Sequence, residues 1–204
     1  MEFKLSSRYT LSNNWYEQLS HSAEIMYNTS TCEPLKFDPA AKRIIVEIGV
    51  FEGASTCWWS DNLLDHPESQ VYSIDPFTGS EEHHESPTMS KLLPTLEATA
   101  RSNISLSRNA SKINIIKGCS WDVFPVLSRF LDQKIDILYI DGAHDAVSIC
   151  RDTSLYYPLV KKGGAVIWDD YGNEDCQRAI TGAVALFCPL VEVFALHGQL
   201  WGLK

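Results

Sequence analysis

The sequence predicts an α/β protein: one three-layer αβα sandwich on a mostly parallel, seven-stranded sheet that closes in a C-terminal antiparallel hairpin. Three observations carry that expectation. Short apolar runs alternate with stretches of helical periodicity along most of the chain. The runs Ile44 to Val46, Ile135 to Ile140 and Ala165 to Trp168 are apolar at nearly every position, as strands covered on both faces require. The tail beyond residue 190 reads as two short strands joined around His197-Gly198.

Taken in order, residues 14–28 set Trp15, Leu19, Ala23, Met26 and Tyr27 at near-helical spacing, which predicts an amphipathic helix that precedes the first strand and borders the substrate site. Strands are expected at 43–48, 70–75, 113–116, 135–140 and 164–168. Helices are expected at 54–65, 88–101, 120–131, 145–160 and 174–187. The segment Pro76 to Pro87, rich in Gly, Ser, Glu and His, follows the acidic tip of the second strand and reads as an active-site loop or lid. The chain divides into a helical extension, 1–40, and a core, 41–204, of one domain, 1–204.

Bulk properties narrow the function. A chain of 204 residues with 45% hydrophobic content suits one domain with a large core. Its net charge of −9, with no clustered Lys and Arg, argues against a nucleic-acid partner. No apolar run approaches the roughly 18–20 residues that span a bilayer, and the first residues lack a signal-peptide stretch, so the expectation is a soluble, cytoplasmic protein with no membrane partner. Six cysteines without a Cys-x-x-Cys pair read as reduced thiols. A homodimer is compatible with the sequence.

The chemistry concentrates at predicted strand ends. In Ile44 to Ser55, the first strand turns directly into a helix through Glu47, Gly49 and Gly53, and a glycine turn there lets a ligand approach bare backbone. Glu47 at the tip suits a cationic or hydroxyl-bearing ligand rather than a phosphate, so the spacing favours S-adenosylmethionine over a dinucleotide. Asp75 ends the second strand, where a carboxylate accepts both hydroxyls of a ribose. After the third strand, Cys119, Ser120 and Trp121 stand where an adenine would lie; Ser120 reads equally as a helix N-cap and Trp121 as core packing.

Asp141, Asp169 and Asp170 are expected to converge at the ends of the next two strands. Three unpaired carboxylates at one rim would force a proton onto one of them, and a hard divalent cation such as Mg²⁺ relieves that repulsion while leaving positions for substrate oxygens. Strand alternation opposes the neighbours 169 and 170 unless the chain has already left the strand. The alternative is a structural hydrogen bond for Asp169, with Asp170 or Asn173 capping the next helix. His144, three residues beyond Asp141, suits a general base, or else simply starts a helix. His83 and His84 are left to solvent.

Assembled, these residues resemble a class I S-adenosylmethionine-dependent methyltransferase with a Rossmann-like fold, and within that class the small metal-dependent O-methyltransferases of the catechol and macrolide-sugar types, methyltransferase family 24 among them. The resemblance spans residues 40–204. It implies that Ser55 and nearby backbone hold the methionine part of the cofactor with Phe51 as a wall, that Asp75 binds ribose, that Cys119, Ser120 and Trp121 lie near adenine, and that Asp141 stands between cofactor and metal. Asp169 and Asp170 resemble the remaining metal ligands. Catechol-type members commonly carry Asn after the residue matching Asp169 and Lys in place of His144; this chain has Asp170 and His144, and the Asp169-Asp170 form is more similar to the sugar-modifying branch. The implied reaction is methyl transfer to a hydroxyl oxygen of a small molecule, assisted by Mg²⁺, with His144 removing the proton. A metal-independent methyltransferase, a nicotinamide-dependent oxidoreductase and a non-catalytic binding module are the rivals; the second lacks a Gly-x-Gly-x-x-Gly turn.

Overall fold

The computed structural model describes residues 3–28, 40–189 and 192–204. Seven strands, β1 (Ile44–Ile48), β2 (Gln70–Asp75), β3 (Ile113–Lys117), β4 (Ile135–Ile140), β5 (Val160–Trp168), β6 (Glu192–Leu196) and β7 (Gln199–Leu203), form one sheet in the order β3-β2-β1-β4-β5-β7-β6. The first five pair in parallel, and β7 runs antiparallel to both β5 and β6, closing the hairpin at His197-Gly198. The helices are α1 (Tyr16–Asn28), α2 (Ala54–Leu63), α3 (Glu81–Glu85), α4 (Leu96–Ser105), α5 (Ser120–Leu131), α6 (Ala146–Tyr156) and α7 (Glu174–Phe187).

Strand alternation sorts the core into two layers. Val46, Leu138 and Val166 share one face, where they pack with Leu127 of α5, Ile149 of α6 and Ile180 of α7. Ile45, Ile137 and Ala165 share the other, where Leu19 and Ala23 of α1 and Trp58 and Trp59 of α2 cover them. The sandwich therefore follows directly from strands that are apolar on both sides.

Three boundaries differ from the sequence reading, each for a local reason. The helix expected at 88–101 is two short 3₁₀ turns followed by α4, because Pro94 cannot donate to a continuous helical ladder. Pro158 likewise stops α6 in a 3₁₀ turn over Tyr157–Leu159. Strand β5 starts four residues early, through Lys161 to Gly164, where polar residues and glycine hide the strand signal and the pairing with β4 shifts register. Within the segment read as irregular, α3 forms a single short helix whose preceding residue, Ser80, donates its backbone N–H to His83 Nδ1 at 3.1 Å. Cys57, Cys119, Cys150, Cys176 and Cys188 are free thiols, and Cys32 lies outside the described residues. Among the described residues, no helix is long and apolar enough to cross a membrane.

Candidate active site

The parallel strands β1, β2, β4 and β5 end side by side, and their tips continue the ladder one step further. Gly49 N–H donates to Ile74 O at 2.9 Å, Asp141 N–H to Ile48 O at 2.8 Å and Asp169 N–H to Ile140 O at 3.0 Å. Above these tips lies a cavity of about 650 Å³, within the range of small-molecule sites.

Gly49 has φ +94°, and a Cβ built on it would lie 1.7 Å from the carbonyl oxygen of Asp141. Its missing side chain thus lets the β1 turn pass against the end of β4 and align the two tips. The next residues are fixed by Asp75, whose Oδ2 accepts from Val50 N–H at 2.7 Å and Phe51 N–H at 3.0 Å while Oδ1 accepts from Phe77 N–H at 2.6 Å. This clamp holds Phe51 at φ +49°, a conformation costly for a bulky residue. Phe51, Asp75 and Gly49 all line the cavity, as the sequence reading expected.

Glu47, Gly53 and Ser55 do not line it. Glu47 is 0% exposed; Thr56 Oγ1 donates to its Oε2 and Trp59 Nε1 donates to its Oε1 at 3.2 Å, while the nearby Ser55 and Ser73 hydroxyls further favour its charged form. Burial pushes its pKa up and these donors pull it back. The expected contact between its carboxylate and a ligand is therefore corrected: this acid ties the start of α2 to the sheet. Ser55 serves the same tie, and Gly53, at φ +84°, lies 3.3 Å by its virtual Cβ from Ile104 of α4. The signal was legible, since Glu47 shares the face of Ile45 two residues earlier.

At one end of the cavity, Cys119, Ser120 and Trp121 meet the inner face of α6. Ser120 is the first residue of α5, Cys119 is its N-cap, and the Ser120 hydroxyl donates to Asp152 Oδ1. Trp121 is not core: its ring is exposed and lies under the guanidinium of Arg151, 3.4 Å from the ring centre. Ser148, Arg151 and Asp152, spaced i, i+3 and i+4 on α6, complete this end. Sequence reasoning missed all three.

At the other end stands an acidic rim. The chain has left β5 by Asp170, whose φ of +57° breaks the strand alternation, so both Asp169 and Asp170 reach the cavity. Their roles differ. The Tyr139 hydroxyl donates to Asp169 Oδ2, and Asp169 Oδ1 accepts from Asp170 N–H at 2.9 Å. Asp170 Oδ2 lies 2.8 Å from His144 Nε2, and Asp141 Oδ1 lies 4.0 Å from the same nitrogen. Asp141, His144 and Asp170 each offer a ligand atom within 4.8 Å of the others, so the cluster suited to a cation contains His144 where the sequence reading had Asp169. Asn173 caps α7, accepting from Asp175 N–H at 2.9 Å and Cys176 N–H at 3.2 Å, which leaves Asp170 to the rim.

The electrostatics of the rim are those of crowded acids. Burial raises the Asp141 carboxyl, and the Asp169 and Asp170 charges add to the rise; burial and Asp170 raise Asp169 as well. Burial opposes the charge of His144, yet hydrogen bonds and attraction from Asp141 and Asp170 carry it up to about 11. Its other nitrogen, Nδ1, is 2.8 Å from Glu82 Oε1 on α3. An imidazole engaged by carboxylates at both nitrogens carries both protons, so in this arrangement it is a cation rather than a ready base.

The mouth is walled by residues that the sequence reading left aside. Helix α3 contributes Glu82 and His83, the latter stacked on Phe51 with ring centres 4.9 Å apart. The N-terminal segment contributes Gln18 and Trp15, which is 51% exposed, with its ring 5.7 Å from that of Phe51. This supports the expectation that the first helix borders the site.

Comparison with known proteins fits this geometry. A family model described as a methyltransferase domain matches residues 46–171, well over half of the chain. An uncharacterized protein of Acanthamoeba polyphaga mimivirus is 34% identical over 130 residues, covering 62% of this chain and 50% of that protein, so the chain spans about half the length of the curated relative it matches. Among solved structures, an O-methyltransferase from Bacillus cereus in complex with SAH superposes with a TM-score of 0.59 at 19% identity, covering 96% of this chain and 94% of the other. The O-methyltransferase TomG from Streptomyces achromogenes, in complex with SAM, gives 0.55 at 17% identity, covering 95% and 91%. The O-methyltransferase NovP gives 0.59 at 19% identity, covering 90% and 79%. At these identities the structures share the fold, and it is the family match that leads to the conclusion: the chain belongs to the methyltransferase-domain family.

Proposed function

We propose that the protein transfers a methyl group from S-adenosylmethionine to a hydroxyl oxygen of a small molecule, with a divalent cation such as Mg²⁺ at the acidic rim. The observation that carries this reading is one cavity that joins Asp75, the Gly49-to-Phe51 turn, the start of α5 and the Asp141, His144 and Asp170 cluster. TomG and the Bacillus cereus enzyme, which bind SAM and SAH in the same fold, support it. The donor supplies an activated methyl carbon, so no covalent enzyme intermediate is needed. In this reading Asp75 binds the ribose, Phe51 walls the methionine part, and Cys119, Ser120 and Trp121 flank the adenine. The whole chain, 1–204, is one domain with its catalytic core at 41–204, working in the cytoplasm on a small-molecule acceptor.

The rim fits a cation by the chemistry of its donors: oxygen ligands in excess of the positive charge that His144 brings. Asp141 and Asp170 would hold the ion, joined by His144 only once its Nε2 has given up its proton, with Asp169 steadied behind them by Tyr139. Bound there, the ion supplies Lewis-acid charge that lowers the pKa of the acceptor hydroxyl. His144 is placed to take the proton at Nε2 only in a state in which that nitrogen has lost its own proton and is off the ion, so its ligand and base roles exclude each other. The rest of the work is positioning, with Trp15, Phe51 and His83 confining the acceptor at the mouth.

A second reading, metal-independent transfer, is favoured by one observation: His144 already places a positive charge between Asp170 and Glu82. Calorimetry with S-adenosylhomocysteine, followed by a hydroxyl-acceptor screen with and without chelator, tests both. No uptake of the nucleoside at millimolar exposure ends the donor reading. Transfer that survives chelation and survives Asp141→Asn and Asp170→Asn selects the metal-independent one.

A further inference from the structure

Asp152 is the buried acid that the reaction above leaves without a task. It is 4% exposed, yet it lines the cavity beside Ser120, Trp121 and Arg151. Its Oδ1 accepts from the Ser120 hydroxyl. Its Oδ2 faces the end of β4, 3.5 Å from the virtual Cβ of Gly142, and among the described residues no hydrogen-bond donor is paired with it. Burial pushes the carboxyl up to about 6.

The neighbouring groups make this oxygen the natural acceptor for a donor from the cavity. The Ser120 hydroxyl gives its proton to Asp152, and the Ser120 carbonyl accepts from the Tyr156 hydroxyl at 2.7 Å. Arg151, above Trp121, donates through its guanidinium to Ser148 Oγ at 3.1 Å and offers no acceptor. Asp152 Oδ2 is therefore the anionic acceptor at this end with no donor paired among the described residues, a stronger partner for an N–H than the neutral Ser120 and Ser148 oxygens. The α6 spacing also fixes its direction, because Ser148 and Asp152 stand one turn apart on the face turned to the cavity.

Resting on the methyl-donor reading, we propose that Asp152 selects the base of the donor, accepting a hydrogen bond from the exocyclic 6-amino group of adenine and rejecting a purine that carries a 6-oxo group. An amino group meets the carboxylate as a donor, whereas a carbonyl there sets two acceptors against each other in a buried site. That type of mismatch discriminates more strongly than shape.

The test is calorimetric binding of S-adenosylhomocysteine and S-inosylhomocysteine to the full chain, wild type and Asp152→Asn, with thermal unfolding of each. The wild type is expected to prefer the adenosyl compound by about 10- to 100-fold, the range for a hydrogen bond to a charged group. In Asp152→Asn the amide can keep the Ser120 bond through its oxygen and present its NH₂ to the cavity, so the preference should shrink at least tenfold or reverse. A merely structural role would weaken both ligands alike. Equal binding of the two by the wild type overturns the proposal even if the variant does not fold, and so does an unchanged ratio in Asp152→Asn. Ser120→Ala, which keeps the carboxylate, is expected to retain the preference, and its loss there would also count against Asp152 as the selecting group. Failure of the wild type to bind either compound overturns the donor reading and this inference together.

Discussion

Gly49→Ala is the substitution for which the structure gives the sharpest expectation. Two costs add. At φ +94° an L side chain is strained by roughly 1–2 kcal/mol. The added Cβ would also sit 1.7 Å from Asp141 O and 2.5 Å from Asp141 C, both backbone atoms in the ladder that joins β1 to β4, so the strands must part. Overlap of this kind costs about 1–3 kcal/mol once the neighbours relax, which brings the total to about 2–5 kcal/mol. Gly53→Ala is the internal control: it shares the positive φ, at +84°, but its Cβ would meet only the flexible end of Ile104 at 3.3 Å and the Ala100 carbonyl oxygen at 3.4 Å. Its cost should stay near the backbone strain alone, about 1–2 kcal/mol. Urea unfolding of both variants measures the difference, a gap of about 1–3 kcal/mol that in a domain of this size corresponds to roughly 2–12 °C in melting temperature. If Gly49→Ala proves as stable as Gly53→Ala, the claim that this glycine exists to bring β1 against β4 is refuted.

Other outcomes follow from the same geometry. Asp152 has a folded pKa of about 6 against an ordinary 3.8, so its contribution to stability is complete below pH 3.8 and is lost as pH rises through 6. The wild type should lose about 3 kcal/mol over that window, and Asp152→Asn should show a flatter stability profile by chemical unfolding at pH 4, 5, 6 and 7. In titrations with Mn²⁺ as a paramagnetic probe, Asp170→Asn and His144→Ala should weaken binding by at least about tenfold. Tyr139→Phe should leave binding within about threefold, and a larger loss would return Asp169 to the ligand set. Glu47→Ala leaves the Thr56 and Trp59 donors facing an apolar gap and should destabilise the fold by about 2–4 kcal/mol; affinity for S-adenosylhomocysteine should be unaltered, and a matching loss of affinity would contradict the placement of Glu47 outside the cavity.

Much of this site was readable before the structure, because parallel strands announce their own ends. An apolar run followed by Gly or Asp marks a strand tip, and four such tips gave Gly49, Asp75, Asp141 and the Asp169-Asp170 pair. What escaped were residues whose meaning depends on which way an element faces. Ser148, Arg151 and Asp152 form a polar stripe on α6 that would read as a solvated face until the cavity is known to lie against it. Glu82 and His83 sit in a five-residue helix too short for any periodic signal. Trp15 belongs to an apolar pattern that reads as core, and only its position just before α1 turns it to the mouth. The His144 reading failed for another reason: spacing from Asp141 reveals proximity, but it is Asp170, at the end of the next strand, that together with Asp141 holds the imidazole in its charged form.

Helix α6 begins two residues beyond His144, capped by Asp145, and reaches Asp152 within its second turn. At 1.5 Å per residue, the six helical steps from Ala146 to Asp152 correspond to roughly 9 Å of rigid rod leading from the rim to the base end. The two chemical termini of the cavity are thereby calibrated by a single stiff segment, while Trp15, Glu82 and His83 hang on separate, shorter pieces of chain. On the proposed reading, descendants of this scaffold can trade one acceptor for another by altering those appendages, with the distance from purine to reacting oxygen left untouched.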